Sequence, residues 1–531
     1  CRQFDSVPGQ EKMKDENINN LLNQALSLHH EQNLEKADEI YQLVLTKDPD
    51  NFLANHLHGC ILSQHHNYRD ALIYLKKAVE IDPSNYEANN NLGITYKNLK
   101  DFKNSEIFFK QAITIDSFQY KAFFNCANLY IDNDQYSDAI DFLKKTISCN
   151  KDFPEADHRI GEVYQYIFQT NRDLTNINNS IEWFNSAIRK DANFADSHLM
   201  LGMSYLWLGD LKNADKKFKE VLSLNYSNEI LYENNIKNSL GDERLLSTLV
   251  KHEYEQLTYI DNDIDAIRNP KFTQEYYNSL KNLYEKSINN NIKLSDVTSD
   301  MKKSLFKVLY NKPPKISSSS LINKDNDINT IEDRYISGNP EIIVIDNFLD
   351  KSALKEIQNF CRNANVFKYP YHGGYVGAFL SKGLSNEFIL KLNDDLRLTY
   401  KKIFKDLRLT QAWIFKYDSA RTGTNIHADQ ASVNVNFWIT PEQGNLNKNS
   451  GGLKVWNSLP PDDWDFSEYN SLQKSPKIKE MLDFKGISNM VIPYKENRAV
   501  IFNSKLFHAT DDFEFDNSYE NRRVNITFLY D

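Results

Sequence analysis

Two periodicities divide the chain. Up to about residue 310 apolar positions recur three and four apart, the spacing of amphipathic helices, as in "ERLLSTLVKHEYEQLTYI" and "TQEYYNSLKNLYEKSI". Further on, "EIIVIDNFLD" (341–350) reads as a buried strand and "KSALKEIQNFCRNA" as an amphipathic helix. From "QAWIFKYDS" onward come β-rich segments: "SVNVNFWIT", "GGLKVWNS", "MVIPYK", "AVIFNS" and "RRVNITFLYD". Gly, Asn and Pro turns separate them, which predicts an antiparallel barrel or sandwich. Between the two halves "NKPPKISSSSLINKDNDINT" (311–330) has two prolines, four serines and little apolar content, and reads as a linker.

The helical half repeats itself. Gly59, Gly93, Ala127 and Gly161 stand 34 residues apart, and Gly202 follows 41 further on, which places a seven-residue insertion near "TNRDLTN". Ala37, Ala71, Ala139 and Ala214 supply small residues for close helix crossings. Phe109, Phe184 and Phe218 supply bulky knobs, and Pro49 and Pro83 end second helices. This helix-turn-helix period resembles the tetratricopeptide repeat, with about six repeats over residues 18–228. Each pair buries its apolar face only by stacking on its neighbours, which implies a superhelix with a concave groove. Asn91 and Asn125 share one position in consecutive repeats, where some members of the family grip the backbone of an extended peptide. Leu57, Arg159 and Met200 break that row. The bland reading of the array is a rigid spacer.

Other features point to no chemistry. His56, His58, His65 and His66 crowd the second repeat after His29 and His30, but neighbours one or two apart do not share a helix face, so solvated surface is expected. "DNDQYSD" (132–138) lacks the glycine of a calcium loop and reads as a turn. Residues 1–17 read as an N-terminal extension with Met13 as the expected start, and residues 229–310 as a helical cap and spacer that covers the last repeat.

Composition narrows the class. With 531 residues, 40% hydrophobic and 12% aromatic, the chain has material for more than one packed core. A net charge of -10 and a pI near 5.7 argue against nucleic acid as a partner. There is no apolar run long enough for a membrane span. Cys1, Cys60, Cys126, Cys149 and Cys361 form neither a zinc pattern nor an even framework, and a reducing cytoplasm is the expected location.

The candidate chemistry lies in "NIHADQASVNVNFWI" (425–439). On a strand, residues two apart point to one face, so His427 and Asp429 could reach one metal ion, with His508 of "AVIFNSKLFHATDD" as a third ligand. Two histidines and a carboxylate with open positions suit a non-haem Fe(II) site. The surrounding residues strengthen this: "RRVNITFLYD" is similar to the last core strand of the Fe(II)- and 2-oxoglutarate-dependent oxygenases, in the prolyl-hydroxylase-like branch. "SGGLKVW" (450–456) resembles the glycine turn and strand of their barrel.

That resemblance, over residues 336–531, implies a double-stranded β-helix (jelly-roll) domain with flanking helices, after a linker at 311–335. It implies Fe(II) on His427, Asp429 and His508, and 2-oxoglutarate consumed with O₂ to hydroxylate a substrate. Arg523 and Tyr417 would hold the far carboxylate of 2-oxoglutarate, with Asn525 and Thr527 on the same face. Arg522 is the rival, on a face with Val524, Ile526 and Phe528. Asn434, Asn436 and Trp438 are candidates for the pocket wall or for outward strand positions. The expected activity is that of a dioxygenase whose repeats recruit a protein or peptide. The alternatives are a hydroxylase of small molecules or saccharides, and a non-catalytic repeat scaffold with a degenerate oxygenase fold.

Overall fold

The computed structural model describes residues 8–227, 242–260, 274–289, 291–309, 311–418 and 423–531. The expected N-terminal extension as far as residue 7, and residues 228–241 and 261–273 of the expected cap, lie outside them.

Helices α1 (Pro8–His30), α2 (Leu34–Lys47), α3 (Phe52–Gln64), α4 (Tyr68–Ile81), α5 (Tyr86–Asn98), α6 (Phe102–Ile115), α7 (Tyr120–Asp132), α8 (Tyr136–Cys149), α9 (Pro154–Asn171), α10 (Leu174–Lys190), α11 (Ala195–Leu208) and α12 (Leu211–Ser227) form antiparallel pairs. α1 starts at Pro8, ahead of the expected boundary at residue 18. The seven-residue insertion lengthens α9 and α10 to 18 and 17 residues, where α7 and α8 have 13 and 14. Each hairpin turns through a left-handed residue, namely Gln32, His66, Lys100, Asp134, Arg172 and finally Gly209. Only the last is the residue type that carries no steric cost there. "DNDQYSD" is one of these turns.

The repeated glycines are contact points. A Cβ on Gly93 would stand 2.6 Å from the Phe109 ring, one on Gly161 2.6 Å from Phe184, and one on Gly202 2.9 Å from Phe218. In the intervening repeat Ala127 takes the glycine position and Leu143 replaces the phenylalanine, so volume is conserved across the crossing. The histidines depart from expectation: His56 and His58 are buried, His58 Nδ1 lying 2.5 Å from Asp38 Oδ1 and His56 Nε2 accepting from Asn91. They are polar parts of the repeat core.

The chain separates into two compact units, residues 1–171 with 182–192, and residues 172–181 with 193–531. The second unit therefore includes α11 and α12, and Trp207 Nε1 donates to Leu409 O at 2.8 Å. Its main sheet is antiparallel, in the order β1 (Ile342–Ile345), β8 (Arg498–Asn503), β5 (Val433–Trp438), β10 (Val524–Tyr530), β4 (Leu409–Tyr417), β3 (Tyr375–Phe379), β2 (Tyr369–Tyr371). A smaller sheet runs β7 (Asn489–Ile492), β6 (Leu453–Trp456), β9 (His508–Thr510). Trp438, Val500 and Phe502 of the large sheet share a core with Leu453, Val455 and Ile492 of the small one.

Three expectations need correction. "EIIVIDNFLD" yields an edge strand with Val344 exposed, because β1 pairs only with β8. The polar stretch 311–330 is strapped down: Leu321 and Ile322 are buried, and Leu321 N donates to Asp395 Oδ2. Ser317 donates to Ser352 and Ser320 to the carbonyl of Ile322, which is why a serine-rich composition misleads. The helix Glu243–Ile260 buries His252, Glu253 and Gln256 within the second unit. Gln256 Nε2 donates to the carbonyls of Arg362 and Ala364, and Glu253 accepts from Lys368 at 2.8 Å. It is a structural part of the strand domain.

Gly93→Ala should lower the thermal unfolding midpoint of the repeats, since overpacking costs about 1–3 kcal/mol and helix propensity returns less than about 1. Adding Phe109→Leu, the natural companion of alanine at Leu143, should recover most of the loss. Calorimetry of the two variants checks the pairing, and a double variant no better than the single one would refute it.

Candidate metal centre

β5 pairs with β8 and β10 along its whole length and all of its residues are buried, which makes a rigid floor. The H-x-D motif does not lie on β5. The chain bends at 430–432, and His427 makes an isolated antiparallel bridge with His508. His427 N donates to His508 O at 3.0 Å and His508 N to His427 O at 2.8 Å. Among the described residues, His427, Asp429 and His508 are the group whose ligand atoms converge, all within 4.8 Å of one another.

Local hydrogen bonds aim these ligands. His427 Nδ1 lies 2.7 Å from Asn425 O and His508 Nδ1 2.9 Å from Leu506 O. Each Nδ1 therefore carries the proton, and each Nε2 lone pair is free to face the site. The Nε2 atoms stand 3.7 and 3.4 Å from the two oxygens of Asp429. Burial would raise the Asp429 carboxyl, but His508, His427 and Asn470 outweigh it and hold it at about 2. Burial, with His508 beside it, lowers His427. Neutral imidazoles around an ionised carboxylate make a donor set for a divalent cation.

Behind the triad is a narrow cavity of about 30 Å³, lined by Tyr417, Asn434, Asn436, Arg523, Asn525 and Thr527 among others. Asn525, Thr527 and Arg523 share one face of β10 and its lead-in. Tyr417 N donates to Arg523 O, which sets the two side by side, the guanidinium 4.8 Å from the phenol ring. Arg523 is 2% exposed; Nε donates to Gly451 O at 2.7 Å and an Nη to Gly452 O at 3.1 Å, while Nη1 has no partner. That cradle needs glycine: Gly451 has φ +86°, and a Cβ on Gly452 would stand 1.9 Å from Ile492 O. Arg522 points the other way, to Glu255. Burial raises the Tyr417 hydroxyl against the pull of Arg523, so it stays protonated and able to donate.

Asn434 Nδ2 donates to Asp429 Oδ2 at 3.1 Å and Asn436 Nδ2 to Thr527 Oγ1 at 3.4 Å, leaving both amide oxygens unpartnered and buried. Trp438 does not reach the cavity; it packs on Tyr494 in the core between the sheets. Outside the triad an open cleft of about 710 Å³ is walled by Tyr371, Tyr375, Trp413, Phe415 and Phe466. Sequence reading missed these aromatics, although Trp413, Phe415 and Tyr417 alternate in "QAWIFKY". It also missed Asn470, for which the sequence offers no signal. In the repeats, the Asn91 amide donates to His56 and Cys60 and that of Asn125 to Asn90, so both tie neighbouring repeats together.

Comparison with known proteins bears on the repeats. Two tetratricopeptide-repeat models match, one at residues 53–85 and 195–228, the other at 74–106. No curated protein sequence matches the chain. Solved structures similar to it include MamA, at 23% identity over 32% of this chain and 94% of that one, TM-score 0.28. YrrB, described as a TPR protein with an unusual peptide-binding site, has 16% identity over 37% and 97%, TM-score 0.28. PilW, described as a type IV pilus biogenesis factor, has 19% identity over 41% and 98%, TM-score 0.36. The N-terminal part is thus a tetratricopeptide-repeat array, which suggests a protein-interaction scaffold. Among the described residues no helix is long and apolar enough to cross a membrane.

Replacing Asp429 or His508 with Ala should reduce binding of a divalent metal to the purified chain by at least about tenfold, since removing a ligand costs no less than removing its supporting partner. Circular dichroism should be unchanged. Titration calorimetry decides, and wild-type affinity in either variant would remove the triad from the metal assignment.

Proposed function

We propose that the strand domain is an Fe(II)- and 2-oxoglutarate-dependent dioxygenase acting as a hydroxylase, and that the repeats serve it by binding a protein or peptide. The observation that carries this reading is the coincidence of two sites in one cavity: a two-histidine, one-carboxylate donor set, and a buried arginine with an unpartnered N–H. A buried guanidinium N–H without an acceptor costs more than about 1–3 kcal/mol, so a domain retained only as scaffold has no reason to keep it. The strand pairing gives further support. Numbering the eight segments from β4 to β10 with the His427 segment second, first pairs with last, second with seventh, third with sixth and fourth with fifth. That is the order of a jelly roll, the expected double-stranded β-helix.

In this reading His427 Nε2, His508 Nε2 and an Asp429 oxygen hold the iron, which supplies the activation of O₂ coupled to conversion of 2-oxoglutarate to succinate and hydroxylation of a C–H bond. Arg523 binds the far carboxylate of 2-oxoglutarate through its free Nη1, and its planar fork suits that group better than a lysine would. Tyr417 donates its hydroxyl to the same carboxylate. Asn525 and Thr527 line the path between anchor and metal and replace water along it. The aromatic cleft in front of His427 receives the substrate. For the repeats, Asn91 and Asn125 are already engaged between neighbours, so recognition falls to other groove residues.

The purified chain should convert 2-oxoglutarate to succinate when given Fe(II) and O₂, even without substrate. Absence of any such turnover in protein shown to bind iron would sink the reading.

Arg523→Lys should raise the KM for 2-oxoglutarate about ten- to a hundred-fold, the worth of a charged hydrogen bond of about 1.5–3 kcal/mol. Arg522→Lys keeps its charge beside Glu255 and should change that KM little. Steady-state kinetics on both variants would expose the opposite ranking.

A further inference from the structure

One wall of the outer cleft is fastened to the metal-ligating carboxylate. The short helix Phe466–Tyr469 and the residues after it line the cleft through Phe466, Asn470 and Ser471. They grip the His427–Asp429 stretch at three points. Ala428 N donates to Tyr469 O at 3.1 Å, and Asn470 Nδ2 donates to Ala428 O at 2.6 Å and to Asp429 Oδ1 at 3.2 Å. The other carboxylate oxygen, Oδ2, accepts from Asn434 Nδ2.

The two amides have unlike supports. Asn434 has no exposure and sits on β5, fixed on both sides by β8 and β10. Asn470 follows a helix of one turn whose Phe466 is 47% exposed in the cleft. One oxygen is therefore held by the sheet and the other by the surface that a substrate would touch. Partners that hydrogen-bond a ligating carboxylate set its rotation and basicity, and their loss is felt at the metal.

We propose that Asn470 is a positioning residue for Asp429, and that the 466–471 segment carries the state of the cleft to the metal carboxylate. The proposal rests on the reading of His427, Asp429 and His508 as ligands. A group pressing on Phe466 displaces the segment, and the Asn470 amide moves with it and turns Asp429 about its fixed contact to Asn434. The enzyme's readiness is thereby linked to an occupied cleft through the 466–471 segment, with the Asn470 amide as its contact to the carboxylate.

The test uses the full chain with Co(II) as probe, because its visible absorption reports coordination without turnover. Asn470→Leu keeps the branched shape of the side chain and removes the donor. It should weaken Co(II) binding about ten- to a hundred-fold and shift the absorption bands, with the thermal unfolding midpoint retained. Should that variant fail to fold, Asn470→Ala repeats the measurement. Phe466→Ala, which makes no contact with Asp429, should shift the bands in the same direction with a smaller loss of affinity. Wild-type affinity and spectrum in the Asn470 variant would overturn the positioning role, and an unaltered Phe466→Ala spectrum would overturn the transmission. A wild-type chain that binds no Co(II) would instead refute the ligand assignment itself, so the two failures are distinguishable.

Discussion

The second unit depends on one exchange of backbone hydrogen bonds, between His427 and His508. It is an isolated bridge from the edge of β9, flanked by backbone hydrogen bonds from Thr510 to Thr424 and from Asp429 to Ser504. A hydrogen-bonded antiparallel pair places its two side chains on the same face, so the imidazoles meet with ring centroids 4.4 Å apart. Each ring is then anchored by the same local device, Nδ1 against the carbonyl two residues earlier. Burial first, and then the repulsion the two rings would feel if both were charged, lower His427. The convergence of the two rings with Asp429 follows from this placement.

The adjacent arginines show how strictly a strand sorts its residues. Arg522 and Arg523 differ by one position, and the period of two sends one to each side of the sheet. Arg523 reaches the glycine carbonyls and the cavity; Arg522 reaches Glu255 on the helix Glu243–Ile260. Burial raises the Glu255 carboxyl despite Arg522 and Lys251, so that contact joins two elements at a cost in desolvation. Its worth is in fixing the helix against β10, which in turn fixes the register on which Arg523 depends.

Much of this was legible in the sequence for physical reasons. The repeats were legible because close helix crossings demand small residues at fixed intervals, and Gly59, Gly93, Gly161 and Gly202 meet Leu75, Phe109, Phe184 and Phe218 there. His427, Asp429 and His508 were legible as a ligand set by residue type. The strand alternation expected to bring the first two together is absent, and the convergence comes from the bridge between His427 and His508. What was not legible depends on tertiary context. Composition cannot tell a free serine-rich linker from a strap whose serines are hydrogen-bonded, as Ser317 is to Ser352 and Ser320 to Ile322. Nor can it tell a solvated histidine from His56 or His58, whose partners come from elsewhere in the chain. Asn470 belongs to the same class, since its importance lies only in what it touches.

The helix Glu243–Ile260 gives the clearest case. It was expected to cap the last repeat, yet Glu253 has no exposure and Lys368, 4% exposed, is its ion-pair partner across the domain. Removing one member of a buried pair leaves an uncompensated charge, at a cost of about 3–5 kcal/mol. A chain begun at the expected linker would lose Glu253 from Lys368, Glu255 from Arg522 and Lys251 from Asp418 together. It would also lose Trp207 from the carbonyl of Leu409 at the head of β4. The strand domain thus has no independent boundary near residue 330. Its sheet packs against helices that the sequence assigns to the repeats and their spacer, so the candidate metal centre and the last repeat lie in one compact unit.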